Sequence, residues 1–566
     1  MTAIPDRMLK WHFYGDGLDS LEVEEVDVPR FGPDELLVRQ DACGLCFSDT
    51  KVIALGANHP RMVGRDLKKN PVTLGHEVSC TVVGIGEDLK DRFKLGDRFI
   101  VQADVFYQGV SMAYGYAISG GLAEYSIIPT AMIEGDEGCY LLPLTSEDGY
   151  VETALVEPWA CVVAAYVQTH RGGIKPGGNM LVIAGDGAEA KDWDDLLTPG
   201  AWPGKVALVE GADGLARDLA AIMNGRGGLM LAGENPDWAL LKEEFTGHKG
   251  FDDILILGAV PAETVESAST TLADHGIVNL VGGHDVPRKL SLDIGRIHYN
   301  WHHYLGSSSS RPADSYIEGR TADLVPGGLA WFIGAGGPMG QMHVQRAVQL
   351  PNPPRRIIAT DIDAERLQSV ADRFGKDASA RGVELFTINP KEIGQEAFDA
   401  ELDRLSEGRG FDDIVSLVPV ASLIEHAADY LADGGWFNIF AGVARGTMAD
   451  LDVNAITKRG VRFIGSSGSS IADMRQTLEK VETHELSTNM SLAAIGGMRA
   501  AKEGIAAVKE GRFPGKTLIF PLIPDMPLTP LPGLKSVYPT VFEKLKDGQF
   551  WTKEAEEELL KVARRD

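Results

Sequence analysis

The chain has 566 residues, 44% of them hydrophobic and 24% charged, which is enough for about three soluble domains with their own cores. Its 81 acidic residues outnumber 54 basic ones, and the resulting net charge of −27 argues against nucleic acid as a partner. No apolar run approaches the roughly 18 residues of a membrane span and no signal-peptide pattern is present, so a cytoplasmic protein is expected.

The stretch from Leu21 to Ala123 reads as short strands between glycine and proline turns. Three features in the first third carry chemistry: the run Ala42–Asp49 with Cys43 and Cys46, the triplet Gly75-His76-Glu77, and Ala154-Leu155-Val156-Glu157-Pro158 at the start of a helical pattern. Thiolate, imidazole and carboxylate form the ligand set of a tetrahedral zinc with one open position. Zinc in such a site polarises an alcohol or carbonyl oxygen and so activates hydride transfer. The cysteines number five, too few and too odd for a disulfide framework; Cys43, Cys80 and Cys161 read as core residues and Cys139 as a loop residue. Between Cys46 and His76, the bases Arg61, Arg65, Lys68 and Lys69 are a local exception in an acidic chain. A solvated surface loop is the commoner account of such a run, and a hold on a substrate phosphate is the other.

A long stretch then occurs twice, from about Ile174 to Ser310 and from about Val325 to Ser470. Pro176-Gly177-Gly178 recurs as Pro326-Gly327-Gly328, Gly250-Phe251-Asp252-Asp253-Ile254 as Gly410-Phe411-Asp412-Asp413-Ile414, and Gly306-Ser307-Ser308 as Gly465-Ser466-Ser467. The offset of roughly 150–160 residues marks a duplicated domain rather than a solenoid. Each copy alternates strand and helix patterns, which predicts parallel βαβ units.

In the second copy the strand Leu329–Ile333 runs into Gly334-Ala335-Gly336-Gly337-Pro338-Met339-Gly340 and then a helical pattern from Gln341. The next strand, Arg356–Thr360, ends in Asp361. Glycines admit a pyrophosphate to the backbone, the helix N-terminus supplies N–H groups, and the acid accepts ribose hydroxyls while repelling a 2′-phosphate. The pattern predicts NAD, with Gly334, Gly336, Gly337, Pro338, Met339, Gly340 and Asp361 at the cofactor and Gly442 and Ser466 completing the contacts. The first copy keeps Gly185 and Gly187, but Asp186, Glu189 and Asp192 crowd the corresponding place, and Glu210 stands near the position of Asp361. Carboxylates there oppose an anion. The first copy is therefore expected to keep the fold and to have lost the nucleotide.

The motifs GLCFSD (44–49), GHE (75–77), Gly96-Asp97-Arg98-Phe99, Gly120–Tyr125, ALVEP (154–158) and the glycine turn at 334–340 together resemble a zinc-dependent medium-chain dehydrogenase/reductase of the alcohol and polyol kind, and more weakly its sorbose-1-phosphate reductase branch. The resemblance implies an α/β chain with a GroES-like, β-rich catalytic domain over 1–173, completed by about 471–520. Two tandem Rossmann-type doubly wound parallel-sheet domains would follow, a degenerate one at 174–310 and an NAD-binding one at 325–470. It implies one catalytic zinc on Cys46 and His76, with Glu77 or Glu157 as the third ligand and the two able to exchange. Ser48 would relay the substrate proton and Asp49 would orient the site. Two departures are visible. The cysteine-free stretch between Gly96 and Gly120 lacks a structural-zinc lobe, and Lys51 stands where many alcohol dehydrogenases place a relay histidine. Lys51, a ribose hydroxyl or water could complete the relay.

The tail, 521–566, is proline-rich and then helical from Trp551, with Thr552 as a cap; it reads as a strap without chemistry. The expected activity is hydride transfer between NAD and a polyol, sugar or sugar phosphate. An NAD-retaining isomerase or epimerase, or a non-catalytic nucleotide or sugar sensor, are the alternatives. Because family members commonly dimerise by joining nucleotide-domain sheets edge to edge, the two copies are expected to pair within the chain as a pseudo-dimer, with further oligomers left open.

Overall fold

The computed structural model describes residues 4–563, except 63, 189–191, 199, 210–212, 224–227, 234–235, 284 and 318–319. The chain forms two compact units, one of Met1–Ala164, Gly337–Met342 and Gly468–Asp566, the other of Ala165–Gly336 and His343–Ser467.

The first unit is built on an eight-stranded sheet. Its central strand, Leu36–Leu45, is buried along almost its whole length. It pairs antiparallel with Glu77–Ile85 on one side and with Lys516–Phe520 and Tyr125–Ile128 elsewhere along its edges. The register sets Gly44 opposite Glu77 and Leu45 opposite Thr517, so residues distant in sequence meet where the central strand ends. The proline-rich strap contributes Thr529–Pro530 at the sheet edge, where a residue without an N–H is tolerated. Its closing helix, Lys553–Ala563, starts with the Ala555 amide donating to Thr552 Oγ1 at 3.1 Å. Glu556 from that helix is buried and accepts the amides of Tyr150 and Val151 at 2.6 and 2.8 Å. The strap thus caps the helix Tyr150–Ala154, which leads directly into Val156–Ala164 and Glu157.

The second unit holds both copies, each a six-stranded parallel sheet of the same order. In the first copy the strands run Gly228–Ala232, Lys205–Val209, Asn179–Ala184, Phe251–Leu257, Leu272–Val281 and His303–Ser307. In the second they run Glu384–Ile388, Arg356–Thr360, Leu329–Ile333, Phe411–Ser416, Leu431–Ile439 and Arg462–Gly465. This is the doubly wound arrangement, with the order reversing at the first strand. The repeated acids have a structural task. Asp252 and Asp253 accept the amides of Asn179 and Lys175, and Asp412 and Asp413 accept those of Leu329 and Val325, bracing the entry to the first strand in each copy.

The copies pack on each other about a pseudo-two-fold axis. Leu290–Asp293 pairs antiparallel with its counterpart Met448–Leu451, and the following helices, Ile294–Asn300 and Asn454–Arg459, each lie on the other copy's last strand. The close approaches are reciprocal. A Cβ on Gly306 would lie 2.6 Å from Thr457 Cγ2, and one on Gly465 would lie 2.6 Å from His298 Cα. Leu290, Leu292 and Ile297 share one core with Ala449, Leu451 and Ile456. The two sheets meet along their last strands, His303–Ser307 and Arg462–Gly465, as expected of an edge-to-edge pairing, but the strands that hydrogen-bond between the copies are an extra pair outside the two main sheets.

Candidate active site

Cys46 follows the central strand and caps the helix Phe47–Leu55. Its backbone N–H donates to Asp49 Oδ2 at 2.9 Å, which fixes the turn. Glu77 begins the neighbouring strand, and His76 directly precedes it. One ligand atom each from Cys46, His76 and Glu77 lies within 4.8 Å of the others, the one such group of His, Cys, Asp and Glu among the described residues. Gly44 makes this possible, since a Cβ there would meet Glu77 Oε2 at 2.2 Å. Asp49 Oδ1 faces His76 Nδ1 at 3.4 Å, and both are buried. Burial disfavours charge on His76, yet Asp49 and then Tyr116 outweigh it and hold the imidazole well above its ordinary range. The site thus favours positive charge.

Glu77 is fully buried. Its Oε1 accepts from Lys516 Nζ at 2.5 Å, while Oε2 has no hydrogen-bond partner. An orphaned buried carboxylate oxygen beside a thiol and an imidazole is the chemistry a divalent zinc satisfies, so the residues fit the metal. Lys516 also donates to Leu45 O at 3.1 Å. Although it lies within the expected completing segment, sequence reading assigned it no role, because its importance comes from cross-strand register. Glu157 is outside the close set but near enough to sense His76, Glu77 and Lys516. Burial, with the charge of Glu77 added, pushes its carboxyl up to about 7. Cys43, Cys80, Cys139 and Cys161 are free, and burial pushes all four thiols up.

Outward from the set, Ser48 Oγ lies 3.2 Å from His76 Nε2, and Ser48 also reaches the Tyr116 hydroxyl. The Tyr116 ring sits 5.8 Å from the ring of His76 and 5.4 Å from that of His59. Tyr116 and His59 were missed from the sequence; no local motif marks them, and only folding brings them beside Ser48. Lys51 is exposed, with its ammonium 6.0 Å from the Phe47 ring. Of the basic loop, Arg65 is consumed by the carbonyls of Asn70, Ala117 and Pro71, and Lys68 and Lys69 pair with Asp16 and Asp66 at the surface.

In the second copy the glycine turn leans toward the second strand. Gly334 and Ala335 donate to Thr360 O, and Gly336 donates to Asp361 Oδ2 at 2.9 Å. A Cβ on Gly336 would lie 2.6 Å from Arg366 Cβ. The twelve-residue helix Pro338–Gln349, with Met339 and Gly340 in its first turn, follows Gly337. Gly442 and Ser466 follow the fifth and sixth strands. Gly334, Asp361, Gly442 and Ser466 therefore all stand past the C-terminal ends of parallel strands, where ligands bind in such sheets. In the first copy the loop leans the other way: Asp186 and Ala259 exchange backbone hydrogen bonds, closing it against the fourth strand's end. The described residues before the second strand contain only the four-residue helix Trp193–Leu196, and Asp192 and Asp195 pair with Arg311. Glu189 and Glu210 lie outside the described residues.

Two family models match the chain: the alcohol dehydrogenase GroES-like domain at residues 32–134 and the zinc-binding dehydrogenase at 338–483. The mannitol-1-phosphate 5-dehydrogenase of Aliivibrio fischeri is 24% identical over 557 residues, covering 96% of each chain. The uncharacterized protein YggP of Escherichia coli is 31% identical over 341 residues, 56% of this chain and 79% of that one. The chain belongs to the medium-chain dehydrogenase/reductase family. L-sorbose 1-phosphate reductase of Klebsiella pneumoniae, 28% identical over 53% of this chain and 75% of its own, is a further relative of this dehydrogenase. The fold is shared with 2R,3R-butanediol dehydrogenase from Bacillus subtilis, with a TM-score of 0.50 and 15% identity over 91% of this chain and 99% of that one. The family models and these relatives make the protein an oxidoreductase of the dehydrogenase kind. No helix among the described residues is long and apolar enough to cross a membrane.

Proposed function

We propose that the protein is a zinc-containing, NAD-dependent dehydrogenase that moves hydride between the nicotinamide and a hydroxyl or carbonyl of a polyol, sugar or sugar phosphate. The observation that carries this reading is the convergence of Cys46, His76 and the half-satisfied Glu77 beside the Ser48 hydroxyl. Zinc held by these three, with Glu157 as the reserve carboxylate, would supply a Lewis acid to the substrate oxygen, and bound NAD would supply the hydride acceptor. The chain's own residues do the rest. Asp49, 3.4 Å from His76 Nδ1, would orient the ring by its charge. Lys516 offsets the charge that Glu77 brings into a buried place. Ser48 receives the hydroxyl proton and hands it outward, with Lys51, a ribose hydroxyl or water as the next station and His59 added as a candidate by its place against Tyr116. Gly334 to Gly340 and Asp361 would hold the dinucleotide, Asp361 favouring NAD over NADP. Two relatives, a mannitol-1-phosphate 5-dehydrogenase and an L-sorbose 1-phosphate reductase, put phosphorylated hexitols first among substrates to try.

The test is NADH release from a panel of hexitols and hexitol phosphates, together with metal analysis. The wild type is expected to carry one zinc per chain and to prefer NAD. Cys46→Ser should lose the metal and at least about 100-fold in turnover while keeping its circular dichroism, because a core of this size does not depend on a catalytic zinc. Full turnover in Cys46→Ser, or no NADH from any of these substrates, would overturn the reading.

A further inference from the structure

One of the four bases in the 61–69 loop lies against the Tyr116 ring and pairs through only one of its guanidinium nitrogens. Arg61 has its Cζ 5.2 Å from the centre of the Tyr116 ring, on the same ring that contacts His76. Its Nη2 meets Asp104 Oδ1 at 2.5 Å, while among the described residues Nε and Nη1 have no hydrogen-bond acceptor. The Arg61 backbone N–H donates to His59 Nδ1 at 3.3 Å, which leaves the imidazole proton on Nε2 as a second unused donor. Lys51 is close enough for its charge, with that of Arg61, to act on His59. Burial first, then these two cations, hold the imidazole below its ordinary range. Three basic side chains with spare donors therefore share one neighbourhood around the Tyr116 ring, with Asp104 paired to Arg61 and Asp49 acting on Tyr116, in a chain whose net charge is −27.

The spacing relates this cluster to the reacting end of the site. Two successive contacts, 5.8 Å from His76 to Tyr116 and 5.2 Å from Tyr116 to Arg61, separate the metal-ligand set from the guanidinium. An extended hexitol spans such a gap, with its reacting oxygen at one end and a terminal substituent at the other. A phosphomonoester dianion matches the free nitrogens of a guanidinium backed by an imidazole N–H and an ammonium, whereas a neutral hydroxymethyl group would gain little from the two cations.

We propose that Arg61, supported by His59 and Lys51, binds the phosphate of a phosphorylated acyclic polyol whose reacting hydroxyl lies at Cys46, His76 and Glu77. The assignment rests on the dehydrogenase reading above for the identity of the reacting end. It excludes Arg65, whose guanidinium is taken up by backbone carbonyls, and Lys68 and Lys69, which stand exposed against Asp16 and Asp66 rather than on the Tyr116 ring.

The measurement is calorimetric titration of the zinc-loaded, full-length protein with hexitol 1-phosphates and the matching free hexitols, with inorganic phosphate as competitor. The wild type should bind at least one hexitol 1-phosphate about tenfold or more tighter than its free hexitol. Arg61→Gln should bring that ratio within about threefold, and Arg61→Lys should keep an intermediate preference because it restores charge without the fork. Zinc content and NAD affinity should stay as in the wild type. Equal affinity for phosphorylated and free hexitols, or a preference that survives Arg61→Gln together with His59→Gln, overturns the proposal. A loss of NAD affinity in Arg61→Gln does so too, by assigning the cluster to the nucleotide's phosphates. The parent reading fails separately: phosphate preference without NADH formation would sink the dehydrogenase and leave the phosphate site standing. NADH formation without phosphate preference would do the reverse.

Discussion

The two copies of the nucleotide fold share strand order, bracing aspartates and core, and differ where the first strand ends. In the second copy Gly334, Ala335 and Gly336 are drawn toward Thr360 and Asp361, and a helix of three turns starts immediately after. In the first, Asp186 is bonded to Ala259 and only a single helical turn is described before the next strand. A sheet of this kind is held by burial along its strands, whereas nucleotide binding depends on a few backbone groups past their ends. One can be lost while the other stays. The first copy also has a structural task that does not need a phosphate loop, since its ribbon strand and helix cover matching surfaces of the second.

The sharpest way to break this contrast is at the glycine loop. Gly336→Val places a branched side chain against Arg366 and Asp361 and should weaken nucleotide binding at least about 100-fold, about 2.7 kcal/mol, by calorimetry. The wild type should bind one nucleotide per chain; two equivalent sites would show that the first copy has kept its ligand.

A second test uses the pseudo-symmetric pair. The added methyl in Gly465→Ala meets the backbone of His298, which cannot turn aside, and should cost about 2–3 kcal/mol in urea unfolding. Gly306→Ala has its closest approach to the Thr457 methyl, a side chain that can give, and meets the Leu280 carbonyl only at 3.1 Å, so it should cost less, about 1 kcal/mol. Equal costs would mean that the two sides of the interface are not held as described.

The smallest expected effect separates the copies by pH. The first copy has His302 and His303 buried at its last strand where the second has Val461 and Arg462. Burial pushes His303 down to about 3 and His302 well down, while the second copy has His343, also pushed down to about 3. A histidine depressed by folding contributes its stability above about pH 6.5 and loses up to about 1.4 kcal/mol per pH unit as pH falls toward the folded value. Hydrogen exchange should therefore loosen the first copy before the second between pH 6.5 and 5, and His303→Gln should narrow the difference. Simultaneous loosening in the wild type would count against it.

Much of the molecule was legible from residue order alone. The duplication, the parallel βαβ pattern, the glycine turn with its acid, and the Cys46, His76 and Glu77 motifs are local signals, because strand burial, tight turns and metal ligands each constrain residue type at fixed short spacing. The tail shows the limit of that reading. Thr552 was identifiable as a cap, but Glu556, which looks like one more surface acid of a helix, is buried and caps a helix that begins 406 residues earlier in the chain. Likewise, sheet register brings Lys516 to Glu77 and Gly44 beneath it, and the packing of Tyr116 gathers His59 and Arg61 beside Ser48. The form of the copy–copy joint, an extra antiparallel strand pair with helices crossing onto opposite sheets, was also decided in three dimensions. Sequence determines which groups are available and how their own neighbourhoods bend. Which distant groups share a site depends on register and packing, and those follow from the summed burial of whole faces that no short pattern records.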